Sequence, residues 1–301
     1  MAKARPLAVI VNKDGGAASR AGDALIDQIK AAFATTGISV TIEAIAGDDI
    51  AARVETAAKT GAVIVGGGDG TLGSAAAIAA KAGATLGILP LGTRNHLARE
   101  LGIPMDLPSA AKVIADGHKR KIDLSSVNDR VFVNNASIGM YPAMVRVRDG
   151  LQKSHRLPKW IANIPAGWQT LGNLRHHRLR LTMDGAAKPI RTPLLFIGNN
   201  VYSLDLGKVG QRDALDDGKL SVFAVSPNSR AGLIGFGLRA MIGKSDSDRD
   251  FATLGVCETL ELSSHARTIE VAVDGEIIRL QTPLRFSVKP GALEVFAGPA
   301  K

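Results

Sequence analysis

Short apolar runs alternate with segments of helical spacing over roughly the first 125 residues. The strand-like runs, rich in Ala, Val, Ile and Leu, are residues 6–11, 39–45, 62–65 and 85–90. Between and after them, apolar residues recur three or four positions apart, as in helices with one buried face. These helical segments are residues 25–33, 50–57, 72–82 and 109–116. Strand-helix alternation of this kind predicts a mostly parallel, Rossmann-like sheet with helices on both faces.

The pattern changes after Lys121. Two short apolar runs flank Asn128-Asp129, a dipeptide that favours a hairpin turn. Most later runs have the period of two that is typical of half-buried strands, and helical spacing returns only near 151–174 and 229–242. The second part of the chain is therefore predicted to be a β-rich domain folded as an antiparallel sandwich.

These patterns place the domain boundary near residue 123. Residues 1–123 form the predicted α/β domain, and residues 124–289 form the predicted β-rich domain. A last strand near 290–299 could return to the first domain, a point that periodicity does not decide.

The amino-acid composition limits the number of domains and the cellular compartment. The chain has 301 residues, 46% hydrophobic and 4% aromatic, enough for one large or two ordinary domains with aliphatic cores. A single cysteine, Cys257, excludes an internal disulfide and favours a reducing, cytosolic setting. The first apolar run is too short for a secretory signal, and no run approaches the ~18 apolar residues of a membrane span.

The chain is basic, with a net charge of +9. Such a surface suits nucleic acid, anionic lipid or phosphate-bearing ligands, or it serves solubility alone. Residues 150–183 contain no acid but carry six Lys and Arg residues, three histidines and both tryptophans. Because no nucleic-acid-binding motif accompanies this charge, a nucleic-acid partner is not expected.

The sequence GGGDGT at 66–71 joins a buried strand to a helix, where backbone N–H groups and the helix dipole favour an anion. The P-loop pattern is excluded, since no Lys follows these glycines. Gly68, Gly70 and Gly73 match the dinucleotide fingerprint, but they follow the third strand rather than the first, and no ribose-binding acid ends the next strand. A tight structural turn remains an alternative.

Two further loops favour a nucleotide site over a purely structural turn. Gly92-Thr93 follows the next strand, and residues 12–19 follow the first strand. Because ligands of open parallel sheets bind at the carboxyl ends of the strands, three glycine-rich or hydroxyl-rich loops at one edge predict a nucleotide pocket.

These motifs, taken in order, resemble the diacylglycerol kinase catalytic-domain family, which includes bacterial lipid kinases and is related to sphingosine kinases and distantly to NAD kinases. The motifs that carry the resemblance are Asn12-Lys13-Asp14-Gly15-Gly16, Gly67-Gly68-Asp69-Gly70-Thr71, Pro90-Leu91-Gly92-Thr93-Arg94-Asn95-His96-Leu97-Ala98-Arg99, Asp216-Asp217-Gly218 and Asp274-Gly275-Glu276. They span nearly the whole chain. Two positions depart from the family pattern: Lys13 stands where Pro is usual, and His96 where Asp is usual.

The resemblance implies a two-domain kinase whose first domain, similar to those of NAD kinases and phosphofructokinases, holds ATP on its glycine loops. The implied nucleotide-binding residues are Asn12, Lys13, Gly15, Gly16, Gly67, Gly68, Asp69, Gly70, Thr71, Gly92, Thr93 and Asn95. Asp69 would contact Mg²⁺ or order its own turn, since a carboxylate would repel a phosphate. Lys13 either adds positive charge near the phosphates or points to solvent.

The second domain supplies the other implied acids. Glu276 is the first choice for the proton acceptor and Asp274 the second, although Asp274-Gly275 also suits a plain hairpin turn. Asp217, with the carbonyls of Ala214 and Lys219, would hold a structural Mg²⁺; the alternative is an acidic hairpin loop.

The expected function is ATP-dependent phosphorylation of a lipid hydroxyl, with diacylglycerol as the default acceptor. The alternatives are a NAD-kinase-like enzyme with a soluble acceptor and a non-catalytic nucleotide or lipid sensor. Trp160 and Trp168 could share one helix face, so residues 151–178 either dock on anionic lipid at the inner face of the membrane or pack on their own domain. A peripheral cytoplasmic location is expected, and a homodimer is left open.

Overall fold

The chain divides into two units, Met1–Leu124 with Lys289–Lys301, and Ser125–Val288. The computed structural model describes residues 6–15, 22–139, 177–203, 211–225 and 251–298. The predicted helical segments at 151–174 and 229–242 lie outside the described residues, and so do Gly16, Trp160 and Trp168.

The first unit is built on a parallel sheet with the order β2-β1-β3-β4. Its strands are β1 (Leu7–Asn12), β2 (Val40–Ile45), β3 (Ala62–Gly67) and β4 (Thr85–Pro90). The strands β3 and β4 are almost continuously apolar and buried, as expected of a parallel sheet covered on both faces. The predicted α/β architecture is therefore confirmed for this unit.

Helices follow these strands and end at chemically recognisable residues. They are α1 (Asp23–Ala34), a 3₁₀ turn (Gly47–Asp49), α2 (Ile50–Ala58), α3 (Asp69–Ala82), α4 (His96–Glu100) and α5 (Leu107–Asp116). Gly83 ends α3 in the left-handed conformation, which only glycine adopts freely. The Asp106 carboxylate caps α5 by accepting the Ser109 N–H. Helix α3 begins three residues earlier than the predicted 72–82, within the glycine motif itself.

The second unit contains two antiparallel sheets. One has the order β12-β11-β10-β7-β14-β15. Its strands are β7 (Asn135–Gly139), β10 (Leu194–Asn199), β11 (Leu220–Val225), β12 (Phe251–Cys257), β14 (Thr268–Val273) and β15 (Glu276–Gln281). In the other, β13 (Thr259–Ser263) pairs with β8 (His177–Met183) and with the start of β16 (Leu284–Phe296), and β8 pairs with β9 (Ala186–Thr192).

One apolar cluster fills the space between these two sheets, which makes the predicted antiparallel sandwich. Ile138, Leu195 and Val271 project from the first sheet, and Leu181 and Phe286 from the second, all at most 2% exposed. The remaining strands are β5 (Lys119–Val127) and β6 (Arg130–Phe132), which form the predicted hairpin around Asn128-Asp129.

The last strand leaves this sandwich and returns to the first unit. Near its end, Val295 of β16 pairs in parallel with Leu86 of β4. Glu294 accepts hydrogen bonds from Thr85 Oγ1 at 2.5 Å and from Lys119 Nζ at 2.8 Å within the first unit. Among the described residues, no helix is long and apolar enough to cross a membrane.

Candidate active site

The loop after β3 leads directly into α3 and exposes its first amide groups. The Gly68 carbonyl accepts the Leu72 N–H at 3.0 Å, so the N–H groups of Asp69, Gly70 and Thr71 precede the helical hydrogen-bond ladder. A Cβ at Gly67 would lie 2.7 Å from the Thr71 side chain, so no larger residue fits there without a shift. The loop therefore presents backbone donors and a positive helix end, the chemistry that binds phosphate.

The loops after β3 and β4 touch each other through their glycines. A Cβ at Gly92 would lie only 2.5 Å from the Gly68 Cα, closer than real Cβ contacts. Asp69 adds a polar link across the same junction, since its Oδ1 accepts the His96 N–H at 2.9 Å. Asp69 thus joins the neighbouring loop rather than ordering its own turn, and the described residues give its Oδ2 no partner.

Asn95 holds the second loop in shape. It precedes α4 as the N-cap residue, has the left-handed conformation with φ 52°, and is 6% exposed. Its Oδ1 accepts the Gly92 N–H at 2.8 Å, and its Nδ2 donates to the carbonyls of Gly92 and Pro90 at 3.0 and 3.2 Å. Both ends of this predicted nucleotide-binding side chain are therefore used within the loop, whereas Thr93 is exposed.

The loop after β1 is tied to the glycine loop through Asn12. The Asn12 Nδ2 donates to Thr71 Oγ1 at 2.9 Å, and its Oδ1 accepts the Asp14 N–H at 3.0 Å. Asp14 in turn accepts the Gly47 N–H at 2.7 Å. The structure thus brings the three predicted loops to one edge of the sheet, and Lys13 is exposed beside them.

In the second unit, Asp274-Gly275 forms the two-residue turn between β14 and β15. Both residues have positive φ, 47° and 90°, as a type I′ turn requires. The Asp274 carboxylate accepts three successive N–H groups, those of Val133 at 2.8 Å, Asn134 at 2.9 Å and Asn135 at 3.1 Å. Asp274 therefore fixes the segment 133–135 as well as its own hairpin.

The environment of Asp274 pulls its pKa in opposite directions. Burial raises the pKa of this carboxyl above its ordinary value, whereas the three N–H donors and the nearby Arg212 guanidinium act to lower it. The net pKa shift is upward.

Glu276 differs from Asp274 in having a free carboxylate. It opens β15 directly opposite Val273, is exposed, and has no side-chain partner among the described residues. The two acids of this turn are thus distinct: Asp274 is held by the backbone, and Glu276 is available to a ligand.

Arg212 is a residue of this region that sequence reasoning missed. It is 6% exposed and donates to the Val133 and Asn199 carbonyls at 2.7 and 3.0 Å and to Asn134 Oδ1 at 3.1 Å. Its guanidinium carbon lies 5.3 Å from the centre of the Tyr202 ring. Arg212 therefore binds the segment whose N–H groups Asp274 binds. Its place in the acidic sequence RDALDDG was the only available signal.

The predicted metal loop lies next to a buried asparagine. Asn200 is fully buried, its Oδ1 accepts the Asp217 N–H at 3.1 Å, and its own N–H donates to the Lys219 carbonyl at 2.8 Å. Among the described residues, the Asp217 carboxylate has one long contact, 3.5 Å from the Val201 nitrogen to Oδ2. Within the described ranges no three His, Cys, Asp or Glu side chains converge, so a cation here would depend on Asp217 and carbonyls.

The oxygen atoms of the Asp217 loop are suited to a hard cation, although some of them already accept hydrogen bonds. The Asp217 carboxylate is weakly engaged, and carboxylate and carbonyl oxygens are the donors that Mg²⁺ prefers. One lone pair of the Lys219 carbonyl is already used by Asn200, which leaves the other for a metal.

Comparison with known proteins gives both units a family. Residues 6–127 match the family described as the diacylglycerol kinase catalytic domain. Residues 140–297 match the family described as the YegS C-terminal NAD kinase beta sandwich-like domain. The two matches correspond in order to the α/β and β-rich parts of the chain.

Individual relatives agree with these matches. A Pseudomonas aeruginosa protein (strain UCBPP-PA14) named probable lipid kinase YegS-like is 32% identical over 79% of this chain and 77% of its own length. A Staphylococcus aureus (strain JH9) diacylglycerol kinase is 30% identical over 70% and 66%. A solved structure of a Bacillus anthracis (str. Sterne) diacylglycerol kinase shares the fold, with a TM-score of 0.70 at 21% identity over 98% of this chain and 97% of that one. The chain belongs to the diacylglycerol kinase catalytic-domain family.

Proposed function

We propose that this protein is an ATP-dependent, Mg²⁺-requiring lipid kinase that phosphorylates a lipid hydroxyl, with diacylglycerol as the default acceptor. The observation that carries the proposal is the joined pair of glycine loops, in which Gly68 packs on Gly92 and Asp69 bonds to His96. This arrangement leaves the first amides of α3 for phosphate oxygens and one oxygen of Asp69 for a cation. The names of the two bacterial relatives support a lipid acceptor.

The chain's own groups divide the work of phosphoryl transfer. When bound, ATP supplies the phosphoryl group and Mg²⁺ offsets its charge. The N–H groups of residues 69–71 bind phosphate oxygens, and Asp69 keeps the two loops together. Glu276 accepts the proton of the acceptor hydroxyl as the new P–O bond forms and the bond to the leaving ADP oxygen breaks.

Asp274 and Arg212 are assigned positioning roles. Both bind the segment 133–135, and Asp274 begins the turn that carries Glu276. Asp217, with the carbonyls of Ala214 and Lys219, is assigned a structural Mg²⁺. If so, added Mg²⁺ raises the melting temperature of the wild type but not of Asp217→Asn, and an equal rise in both proteins contradicts the assignment.

The decisive experiment incubates the protein with labelled ATP and a total lipid extract and identifies the labelled product by mass spectrometry. Asp69→Ala and Glu276→Ala are each expected to abolish transfer while the protein stays folded. Asp129→Asn, in an exposed hairpin turn, is the matched control and should be fully active. Full activity in either site variant would refute its assignment, and no labelled lipid from the wild type would refute the lipid acceptor.

A soluble acceptor is the second candidate, because the C-terminal match is to a NAD kinase-like sandwich. The same assay with NAD in place of lipid separates the two functions. Phosphorylated NAD without phosphorylated lipid supports the second candidate. Nucleotide binding without transfer to either acceptor supports a sensor. A lipid acceptor also implies peripheral contact with the cytoplasmic face of the membrane.

A further inference from the structure

The outer face of the β8–β9 hairpin carries three arginines. Arg178 and Arg191 lie directly opposite each other in the antiparallel register, and Arg180 lies two residues along β8 on the same face. All three are exposed, while the alternate residues Leu179 and Leu181 are 4% and 1% exposed. We call Arg178, Arg180 and Arg191 the arginine face.

This arrangement opposes the stability of the hairpin. Like charges directly opposite each other in a sheet repel, at side-chain separations of about 5 Å. None of the three arginines has an acidic partner among the described residues. Glu261, which lies on the same face of the sheet opposite Thr182, already pairs with Arg285 at 3.1 Å. The arginine face is therefore a positively charged patch whose charge no described acid neutralises.

The surroundings of the arginine face suit phosphate groups. Ser263 lies opposite Arg180, and together with Ser264 and His265 it borders a groove of about 730 Å³ that the three arginines also line. Guanidinium groups bind phosphate oxygens through two parallel N–H bonds, and the hydroxyls add further donors. A row of guanidinium groups on an exposed sheet face is complementary in charge to a surface that carries many phosphate groups.

We infer that the arginine face docks this protein on an anionic phospholipid bilayer. The choice of a bilayer over another polyanion rests on the proposed lipid kinase function, since such an enzyme must meet its acceptor at a membrane. The arginine face shares no residue with the glycine loops or with the Asp274 turn. It consists of residues that the structure describes, whereas residues 151–176 lie outside the described ranges.

Vesicle binding tests this inference without any need for catalysis. The variant Arg178→Gln/Arg180→Gln/Arg191→Gln is compared with the wild type by co-sedimentation with phosphatidylcholine vesicles, with and without phosphatidylglycerol. Each arginine near an anionic surface strengthens binding about fivefold, so the triple variant should bind the anionic vesicles roughly 100-fold more weakly. The control Lys59→Gln/Lys81→Gln/Lys289→Gln removes the same charge from exposed positions elsewhere and should bind nearly as well as the wild type.

Two further readouts separate the possible failures. The arginine variant should melt no lower than the wild type, because it relieves the repulsion between Arg178 and Arg191. It should also phosphorylate a short-chain, monomeric diacylglycerol at the wild-type rate. A wild type that binds vesicles but phosphorylates no lipid contradicts the proposed function and leaves the docking surface standing.

Three outcomes would overturn the docking surface. One is equal loss of binding in the arginine and lysine variants, which would mean a general charge effect. Another is full competition by inorganic phosphate at constant ionic strength, which would mean a site for free phosphate. The third is concentration-dependent self-association that the arginine variant abolishes, which would mean an interface between copies of the chain.

Discussion

Asp274→Asn tests how the candidate site is held together. Asparagine keeps the shape of the side chain and tolerates the positive φ of 47°, so the turn itself is preserved. Its carbonyl oxygen can still accept the N–H groups of Asn134 and Asn135. Its amide nitrogen then faces the Val133 N–H across what is now a 2.8 Å hydrogen bond, so that two donors oppose each other.

The size of the effect follows from these three bonds. One buried N–H left unpaired costs about 1–3 kcal/mol, and each remaining bond weakens by about 1 kcal/mol when its acceptor loses its charge. Part of this is returned, because burial raises the pKa of Asp274 and the neutral amide is easier to bury. The expected net loss of unfolding free energy is about 2–4 kcal/mol, or ~5–15 °C in the melting temperature for a domain of this size.

Two measurements check this expectation. Asp129→Asn is the control because the Asp129 carboxylate, which is exposed, has no hydrogen-bond partner among the described residues. Thermal unfolding gives the loss of stability. Hydrogen–deuterium exchange locates it, since faster exchange should be confined at first to peptides covering residues 133–135. Kinase activity should also fall, because Asp274 begins the turn that positions Glu276. If Asp274→Asn melts and exchanges like Asp129→Asn, the bonds to Val133, Asn134 and Asn135 do not hold the segment, and this reasoning is wrong.

Three other experiments test separate parts of the structure. Gly92→Ala should reduce phosphoryl transfer at least tenfold, since its Cβ would lie 2.5 Å from the Gly68 Cα; wild-type kcat and KM would show that the loops do not touch. Arg212→Met should lower kcat and the melting temperature, because it removes at least the hydrogen bonds to Val133, Asn134 and Asn199. Arg212→Lys should restore part of both, and equal behaviour of the two variants would mean that the charge is not used. Burial raises the pKa of Cys257 to about 12, so the thiol should react with a thiol reagent only after unfolding, and rapid labelling of the folded protein would contradict its burial.

Periodicity alone predicted the fold class because local and tertiary preferences agree in this chain. Continuous apolar runs became the central parallel strands, and alternating runs became the sandwich. The alternation in β8 shows the principle, since Leu179 and Leu181 are buried while Arg178 and Arg180 are exposed. Boundaries were less exact. The glycine-rich composition of residues 66–71 favours a turn, so the helix was predicted to begin only after it. In the structure the last three of these residues already belong to α3, which begins at Asp69.

The contacts of the second unit could not be predicted from the sequence. Asp274 binds residues about 140 positions away, and Arg212 reaches Val133, 79 positions away. Contacts between residues so far apart in the sequence produce no local sequence pattern. The local pattern of Asp274-Gly275 correctly predicted a hairpin turn. It did not predict that the carboxylate binds residues 133–135, because that contact depends on the pairing of β7 with β14. Sequence reasoning found the acids of the motif but not the arginine beside them.

His96, where this chain departs from the family pattern, illustrates why motif letters and contacts are different kinds of information. The contact that joins the glycine loops runs from the His96 backbone N–H to Asp69, so any residue other than proline can donate it. The His96 side chain itself is exposed. An acid at position 96 would add a second carboxylate beside Asp69 without changing the joint between the loops. His96→Asp should therefore leave the melting temperature unchanged and alter only the Mg²⁺ concentration at which the reaction rate is half-maximal.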